Sequence, residues 1–360
     1  MQSRYGTAAY LVWDGGDDIR IPSIMGKPAE NQMKGSAGER LSELGGRICY
    51  DSLGKGRSSE EYHTHIKEVV HGSVYEHVHM TVFMPWNMRE PFAIAVFLNR
   101  PGIWVQMVDN GIRVTFNPRV LLDWEKFGSP YALERDVLHH HSAEAWPMIL
   151  SPRTLPRERA DFIKTATRVM EPENDEERWV TLYVSGSRGF SHELVRHGDF
   201  TAISQRSTRF VDEDGSPWID HPLVMEFMRQ APDLEREEVA LEIGDAKTVA
   251  RKVYADLSNR LQKWLIEKKN VDKFTARKQA RGAARGYLGN ALETEVIFSA
   301  SVGQWKRMLR LRACGAADAE IRSVFIEALY ELQKSRYASC FSNWKVVPAT
   351  DGIGETAVES

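Results

Sequence analysis

The sequence predicts an α+β fold, with a mixed or antiparallel sheet and a large helical C-terminal half. Three observations carry this reading. Polar and apolar residues alternate through Val74–Met84, where His77, His79 and Thr81 take turns with Val78, Met80 and Val82, the period of a strand. Pro101-Gly102 and Asn110-Gly111 punctuate short β-like runs between Phe92 and Asn117, which predicts a hairpin. From about residue 222 the chain reads mostly as helix, most clearly over 233–268, 273–288 and 317–336.

Taken in order, helices are expected over 36–50, where Leu41, Leu44 and Ile48 share a face, and over 59–71. The strand Val74–Met84 follows and is stopped by Pro85 and Asn87. Beyond the hairpin, residues 118–178 are charged, with helical pieces near 119–127 and 157–170 and a proline-bearing loop between them. Trp179–Val184 reads as a strand leading through Ser185-Gly186-Ser187 into a helix that begins near Phe190. Asp351–Ser360 reads as a frayed tail. There is no internal repeat and no low-complexity stretch.

A length of 360 residues suits one large domain or two ordinary ones. No run approaches the roughly 18 apolar residues that cross a bilayer, and Met1–Trp13 lacks the basic start and apolar core of a secretory signal. Three distant cysteines, Cys49, Cys314 and Cys340, exclude a disulfide scaffold and a four-cysteine zinc site. The formal charge is only −3, so no global field recruits nucleic acid and an anionic ligand must be met by local arginines. The expectation is a cytoplasmic enzyme without membrane or nucleic-acid partners.

Candidate chemistry is densest between Ser191 and Phe210. Glu193, Arg196 and His197 stand at i, i+3 and i+4, one face of a helix. Ser204, Gln205, Ser207, Thr208 and Arg209 then fill a short loop with donors suited to phosphate or carbonyl oxygens. A solvated loop beside a salt-bridged helix face is the competing reading.

This stretch resembles the signature loop of the flavin-dependent (alternative) thymidylate synthases: Arg-His-Arg, a short spacer, then Ser-Gln/Asn-Glu-x-Ser-x-Arg-Tyr. It stands here as Arg196-His197-Gly198, then Ser204-Gln205-Arg206-Ser207-Thr208-Arg209-Phe210. The lead-in Ser187-Arg188 … His192-Glu193-Leu194-Val195 is similar too, as is His71-Gly72-Ser73 … Glu76-His77 to the family's His-x-Ser/Thr-x-x-Glu-His. Leu311-Arg312-Ala313 … Asp318-Ala319-Glu320-Ile321-Arg322 resembles the family's Leu-Arg-Ala helix block, and Arg285 lies sixteen residues before Ser301, as the family spacing expects. The four blocks fall in the family's order and cover about a third of the chain.

The resemblance implies an FAD-dependent thymidylate synthase of α+β fold, a methyltransferase converting dUMP to dTMP with 5,10-methylenetetrahydrofolate and NADPH. It also implies a homotetramer whose sites are shared between chains. Glu193, Arg196, Gln205, Arg206, Ser207, Thr208, Arg209, Arg285 and Arg312 are assigned to the nucleotide, Arg206 through its backbone more than its side chain. Arg312 is the catalytic residue, stabilising charge at uracil N3–O4 by electrostatic preorganisation, since Arg does not act as a base; Trp305 and Leu309 share its helix face. The rival role for Arg312 is to cap the acidic turn of Asp318 and Glu320. Flavin contacts fall to Ser73, Arg196, His197, Gln205, Ser301 and Arg307, with His71 over the flavin where folate or NADPH approaches. No cysteine nucleophile is needed.

Three departures qualify the match. Gly198 and Gly303 stand where the family leads one to expect arginines near the cofactor. Two lost charge-assisted contacts would weaken FAD by about 3 kcal/mol, about a hundredfold, if nothing replaced them; Arg206 and Arg307 could recover part of this, though neither stands at the vacated positions. From Glu76 to Arg196 is 120 residues, longer than in compact members, so the single catalytic domain, 1–360, is expected to be interrupted by an appended subdomain at about 85–178, peripheral to the chemistry. Two alternatives stay open: a pyrimidine C5 methylase or hydroxymethylase acting on UMP or dUMP, and a degenerate, non-catalytic nucleotide-binding homologue. No metal site is expected, because the consecutive His139, His140 and His141 are not expected to converge on one ion and His77 and His79 lack a third ligand. Of Arg277, Arg281 and Arg285, spaced four apart, only Arg285 is promoted; tryptophans 86, 104, 124 and 146 are read as core packing.

Overall fold

The computed structural model describes residues 5–22, 33–69, 71–86, 102–128, 132–198 and 201–360. The chain begins with β1 (Ala8–Trp13), α1 (Ala37–Tyr50) and α2 (Ser59–Glu68), a 3₁₀ turn (Gly72–Glu76), and β2 (Met80–Pro85). Then come β3 (Ile103–Val108), β4 (Gly111–Phe116), α3 (Pro118–Phe127), α4 (Ala132–Ala145), α5 (Arg157–Ala166), β5 (Arg168–Met170), β6 (Trp179–Ser187), α6 (Arg188–Leu194) and β7 (Thr201–Gln205). The rest is α7 (Pro222–Gln230), α8 (Asp233–Lys269), α9 (Lys273–Ala284), β8 (Glu293–Ser301), α10 (Val302–Arg312), α11 (Ala319–Leu332), β9 (Trp344–Pro348) and β10 (Glu355–Glu359).

The central sheet runs β1-β6-β8-β7, every pair antiparallel. β6 is buried along its whole length because its two faces belong to two cores. Val180, Leu182 and Val184 join Val296, Phe298 and Ala300 of β8 under α10 and α11. Trp179 and Tyr183, with Ile297, face the other core, beside Leu41, Leu44 and Ile48 of α1. This is the two-residue alternation of a strand. A second antiparallel sheet, β3-β4-β2-β5, covers that other core.

The α+β expectation stands, with the sheets antiparallel. α1 and α2 form where the apolar spacing placed them, and both begin at capping boxes, Ser36 with Glu39 and Ser58 with Glu61. The hairpin forms at Asn110-Gly111, with Ile103 paired to Phe116 and Val108 to Gly111; residues 92–101 lie outside the described residues.

Several expectations are corrected. The strand expected over Val74–Met84 is a 3₁₀ turn followed by a strand from Met80, because Val74, Tyr75 and His77 turn inward. The loop expected between the helical pieces contains α4; its buried face includes His139, His141 and Ser142 as well as Val137 and Leu138, which masks its apolar period. The mostly helical reading after residue 222 does not include β8, the strand between β6 and β7. The frayed tail is β10, paired with β9 from Glu355–Pro348 to Glu359–Trp344; Arg310 holds Glu359, and Thr356 and Ala357 both bond the Ala313 carbonyl.

The 85–178 segment does not have a core to itself. Ile103, Val114, Phe116, Leu121, Trp124 and Ile163 belong to the same cluster as Leu44, Tyr62 and Val82. The buried Arg113 grips Glu177 with two bonds of 2.7 Å, fastening β4 to the chain that enters β6. Trp124 and Trp146 are core residues, as expected, whereas Trp86 is exposed.

Candidate active site

Ser187 ends β6 and caps α6, its hydroxyl accepting from the Phe190 amide. The expected common helical face of Glu193, Arg196 and His197 is only partly formed: α6 stops at Leu194, and Arg196 and His197 lie in the turn beyond it. That turn still aims two of them at one place. Arg312, at the end of α10, donates from Nη1 to Glu193 Oε2 at 2.7 Å and from Nε to His197 Nε2 at 2.9 Å. Since Nε2 accepts, the His197 proton sits on Nδ1. Burial, helped by the Arg312 charge, lowers the His197 pKa, so the neutral ring that this bond requires is favoured. The rival role for Arg312 has no support in these contacts. Asp318 caps α11 and pairs with His221, while Glu320 bonds Ser187.

Against the expectation of a loop throughout the signature stretch, Ser204 and Gln205 are the last residues of β7 and only the rest follows the strand. Gln205 Nε2 donates to Ser191 Oγ and Thr294 Oγ1 at 2.9 and 3.0 Å. Arg206 donates its backbone N–H to the Glu295 carbonyl, and its guanidinium reaches Glu295 and Ser216; both backbone and side chain brace the loop. The Ser207 amide donates to the Cys49 carbonyl, and Thr208 Oγ1 accepts from Arg285 at 3.1 Å. Arg209 is exposed beside α9, and Arg196 is exposed with no carboxylate partner among the described residues.

The residues expected at the flavin are dispersed. Tyr50 Oη and His71 Nδ1 are 3.2 Å apart, and burial, then Arg119, lowers the His71 pKa. Ser73 is half-buried in the 3₁₀ turn. Ser301 is fully buried and caps α10 by accepting from the Gln304 amide. Arg307 bonds Gln304 at 2.7 Å and lies 3.8 Å from Glu176. Gly303 faces the same acidic turn: its amide donates to the Asp175 carbonyl, and a Cβ there would stand 2.6 Å from Glu176 Oε1. Among the described residues, nothing lies within 4 Å of the place a Cβ would take at Gly198. The hydrogen bonds thus join Glu193, His197 and Arg312 in one group and Thr208 with Arg285 in another, and link Ser301 and Arg307 to neither.

His77 is the residue that motif reading undervalued. Fully buried, it bridges Ser299 Oγ from Nδ1 and Ser204 Oγ from Nε2, both at 2.8 Å, and Ser299 meets Thr181 at 2.6 Å. Burial pushes its pKa down to about 3. It pins the turn after Ser73 to β7 and β8, at the root of the signature loop. Its signal was the Glu76-His77 pair already quoted. His79 stacks on Trp179 at 3.3 Å. On α4, the ligand atoms of His140, His141 and Glu144 do converge, all within 4.8 Å of one another, which corrects the expectation for consecutive histidines; each already has a protein partner, His140 in Glu144 and His141 in Thr167.

Comparison with known proteins adds independent findings. The family model described as thymidylate synthase complementing protein matches residues 139–335, beginning inside the segment expected as an insertion. The chain is similar to flavin-dependent thymidylate synthases of Mycolicibacterium vanbaalenii (36% identical over 174 residues) and Mycobacterium marinum (35% over 174). One from Mycobacteroides abscessus is 35% identical over 173 residues. Each match covers 48% of this chain and 64% of the relative.

Proposed function

The chain belongs to the thymidylate synthase complementing protein family, and from that premise we propose that it is an FAD-dependent thymidylate synthase. The reaction is reductive methylation of dUMP at C5, with 5,10-methylenetetrahydrofolate supplying the carbon and NADPH the reducing equivalents; dTMP, tetrahydrofolate and NADP⁺ leave. The observation that carries this reading is the clamp on Arg312. Glu193 and His197 engage Nη1 and Nε, which fixes the guanidinium plane and leaves Nη2 for the uracil. A cation fixed in advance at N3–O4 stabilises charge developing there and makes C5 the better nucleophile. With burial raising the Cys49 thiol to about 11, that cysteine is a poor nucleophile at neutral pH.

The donor set fits a dinucleotide cofactor. Arg196 is exposed beside the open surface at Gly198, and Ser73, His197 and Gln205 offer neutral polar atoms. These residues, with Arg307, would hold FAD, His71 facing the second substrate, while the buried Ser301 shapes the segment by capping α10. When bound, FAD supplies the hydride that reaches C6 of the pyrimidine. Thr208, Arg209 and Arg285, with Gln205, Arg206 and Ser207, hold the nucleotide from the loop side. Among the described residues the Arg312 group and the Arg285 group share no hydrogen bond, which suits a homotetramer with sites completed between copies. The whole chain, 1–360, is then one catalytic domain carrying extra sequence at about 85–178. Three free thiols suit a reducing cytoplasm; among the described residues no helix is long and apolar enough to cross a membrane.

The test is turnover of FAD-loaded protein with dUMP and UMP side by side, with mass analysis of the product. dTMP from dUMP, dependent on the folate and NADPH, is expected. A methylated or hydroxymethylated UMP, or no product with flavin bound, overturns the proposal.

A further inference from the structure

Helix α9 carries four cations, Lys273, Arg277, Lys278 and Arg281, and no acid. Arg281 is engaged, donating to the Phe210 carbonyl and to Asp212. Arg277 and Lys278 have no carboxylate partner among the described residues. They lie instead against rings: the Arg277 guanidinium is 5.8 Å from the centre of Phe274, and Lys278 Nζ is 4.7 Å from that of Phe210. Those rings continue a line. Phe274 is 6.3 Å from Phe210, Phe210 meets Tyr50 edge-on at 4.8 Å, and Tyr50 meets His71 edge-on at 5.5 Å. An aromatic ridge thus runs from His71 to two unpaired cations, and Phe274 at its far end is 56% exposed. A half-exposed ring backed by unpaired cations suits a ligand with a flat body and an anionic end.

We infer that this ridge binds the carbon donor along its length, with the acidic tail of the folate, its chain of γ-linked glutamates, meeting Arg277 and Lys278. The inference rests on the proposed reaction, in which a reduced folate approaches at His71. Arg277 and Lys278 sit on separate rings whose centres are 6.3 Å apart, which suits carboxylates spaced along a flexible tail. Exposed ion pairs are individually weak, so two together amount to about tenfold in affinity.

The experiment compares mono- and pentaglutamyl methylenetetrahydrofolate with wild-type protein and with the double variant Arg277→Gln/Lys278→Gln. Wild-type protein is expected to favour the pentaglutamate by about tenfold in KM, with the preference fading at high salt. The variant should lose that preference and keep its KM for the monoglutamate, dUMP and NADPH. Equal KM values for the two folates in wild-type protein, or a rise in the NADPH KM in the variant, would overturn the tail site. If wild-type protein forms no dTMP, the reaction reading fails. Equilibrium binding of mono- and pentaglutamyl tetrahydrofolate to both proteins then decides the tail site alone: a tenfold preference abolished by the variant supports it, and equal binding overturns it.

Discussion

At the scale of residues, the site is organised by who holds Arg312 and by what surrounds two glycines. Lys offers one point of positive charge where Arg offers a planar fork, so Arg312→Lys cannot keep both the Glu193 and the His197 bonds while also reaching a ligand. Losing one charge-assisted bond at the reacting pyrimidine costs roughly 1.5–3 kcal/mol. Turnover should therefore fall at least about tenfold, while dUMP binding measured by calorimetry stays within a few-fold; near-normal turnover would remove Arg312 from the catalytic role. The glycines divide differently from the expectation that both mark lost flavin contacts. Among the described residues a side chain at 198 meets nothing within 4 Å, whereas one at 303 meets Glu176 and Asp175. Gly198→Arg should tighten FAD by about tenfold, the worth of one charge-assisted bond. Gly303→Arg should leave it unchanged, its charge paired with Glu176. Flavin titration of the two apo-proteins gives the comparison, and equal tightening by both would show that the acidic turn does not hold position 303.

At the scale of elements, His77 is the joint between the 3₁₀ turn and the central sheet. Its pKa of about 3 in the fold lies below the roughly 6.5 of an unfolded histidine. Between those values the unfolded chain binds a proton that the native ring refuses, so stability is full above about pH 6.5 and drains as the pH falls. Buried His63, with a pKa of about 4, acts in the same direction. Each adds up to about 1.4 kcal/mol per pH unit in that window. His77→Gln should be less stable than wild type at neutral pH, yet its denaturant-unfolding free energy should fall less steeply between about pH 6 and pH 4.5, by about one proton. An unchanged slope would mean that His77 is not held neutral between Ser204 and Ser299.

At the scale of the whole molecule, the 85–178 segment is the question. Read as peripheral, it could be exchanged for a short linker with little consequence. Its buried side chains share the cluster of α1, α2 and β2, and Arg113–Glu177 ties it to the entry of β6. Removing it would uncover Leu44, Tyr62, Val82 and their neighbours; at roughly 1.5–3 kcal/mol for each large apolar side chain, the sum is comparable with the whole net stability of an ordinary domain. Replacement of residues 86–171 by a Gly/Ser linker should yield aggregated protein without a cooperative thermal transition. A soluble deletion variant that melts cooperatively would establish the segment as an appendage.

What the sequence by itself determined was local. Apolar spacing placed α1 and α2, Asn110-Gly111 placed the hairpin, and the motif blocks singled out Glu193, His197, Thr208, Arg285 and Arg312, because helical periods, turns and short motifs are written within a few residues. The tertiary structure decided which of those residues meet. Arg312 reaches Glu193 across 119 positions and His197 across 115, distances over which periodicity carries no information; the register of β6 and β8 brings them together. The same holds for β8 itself, for the tail strand β10 and for α4. Their backbone and side chains find partners only once the cores and sheets exist, and a strand or helix that depends on distant partners leaves a weak local signal.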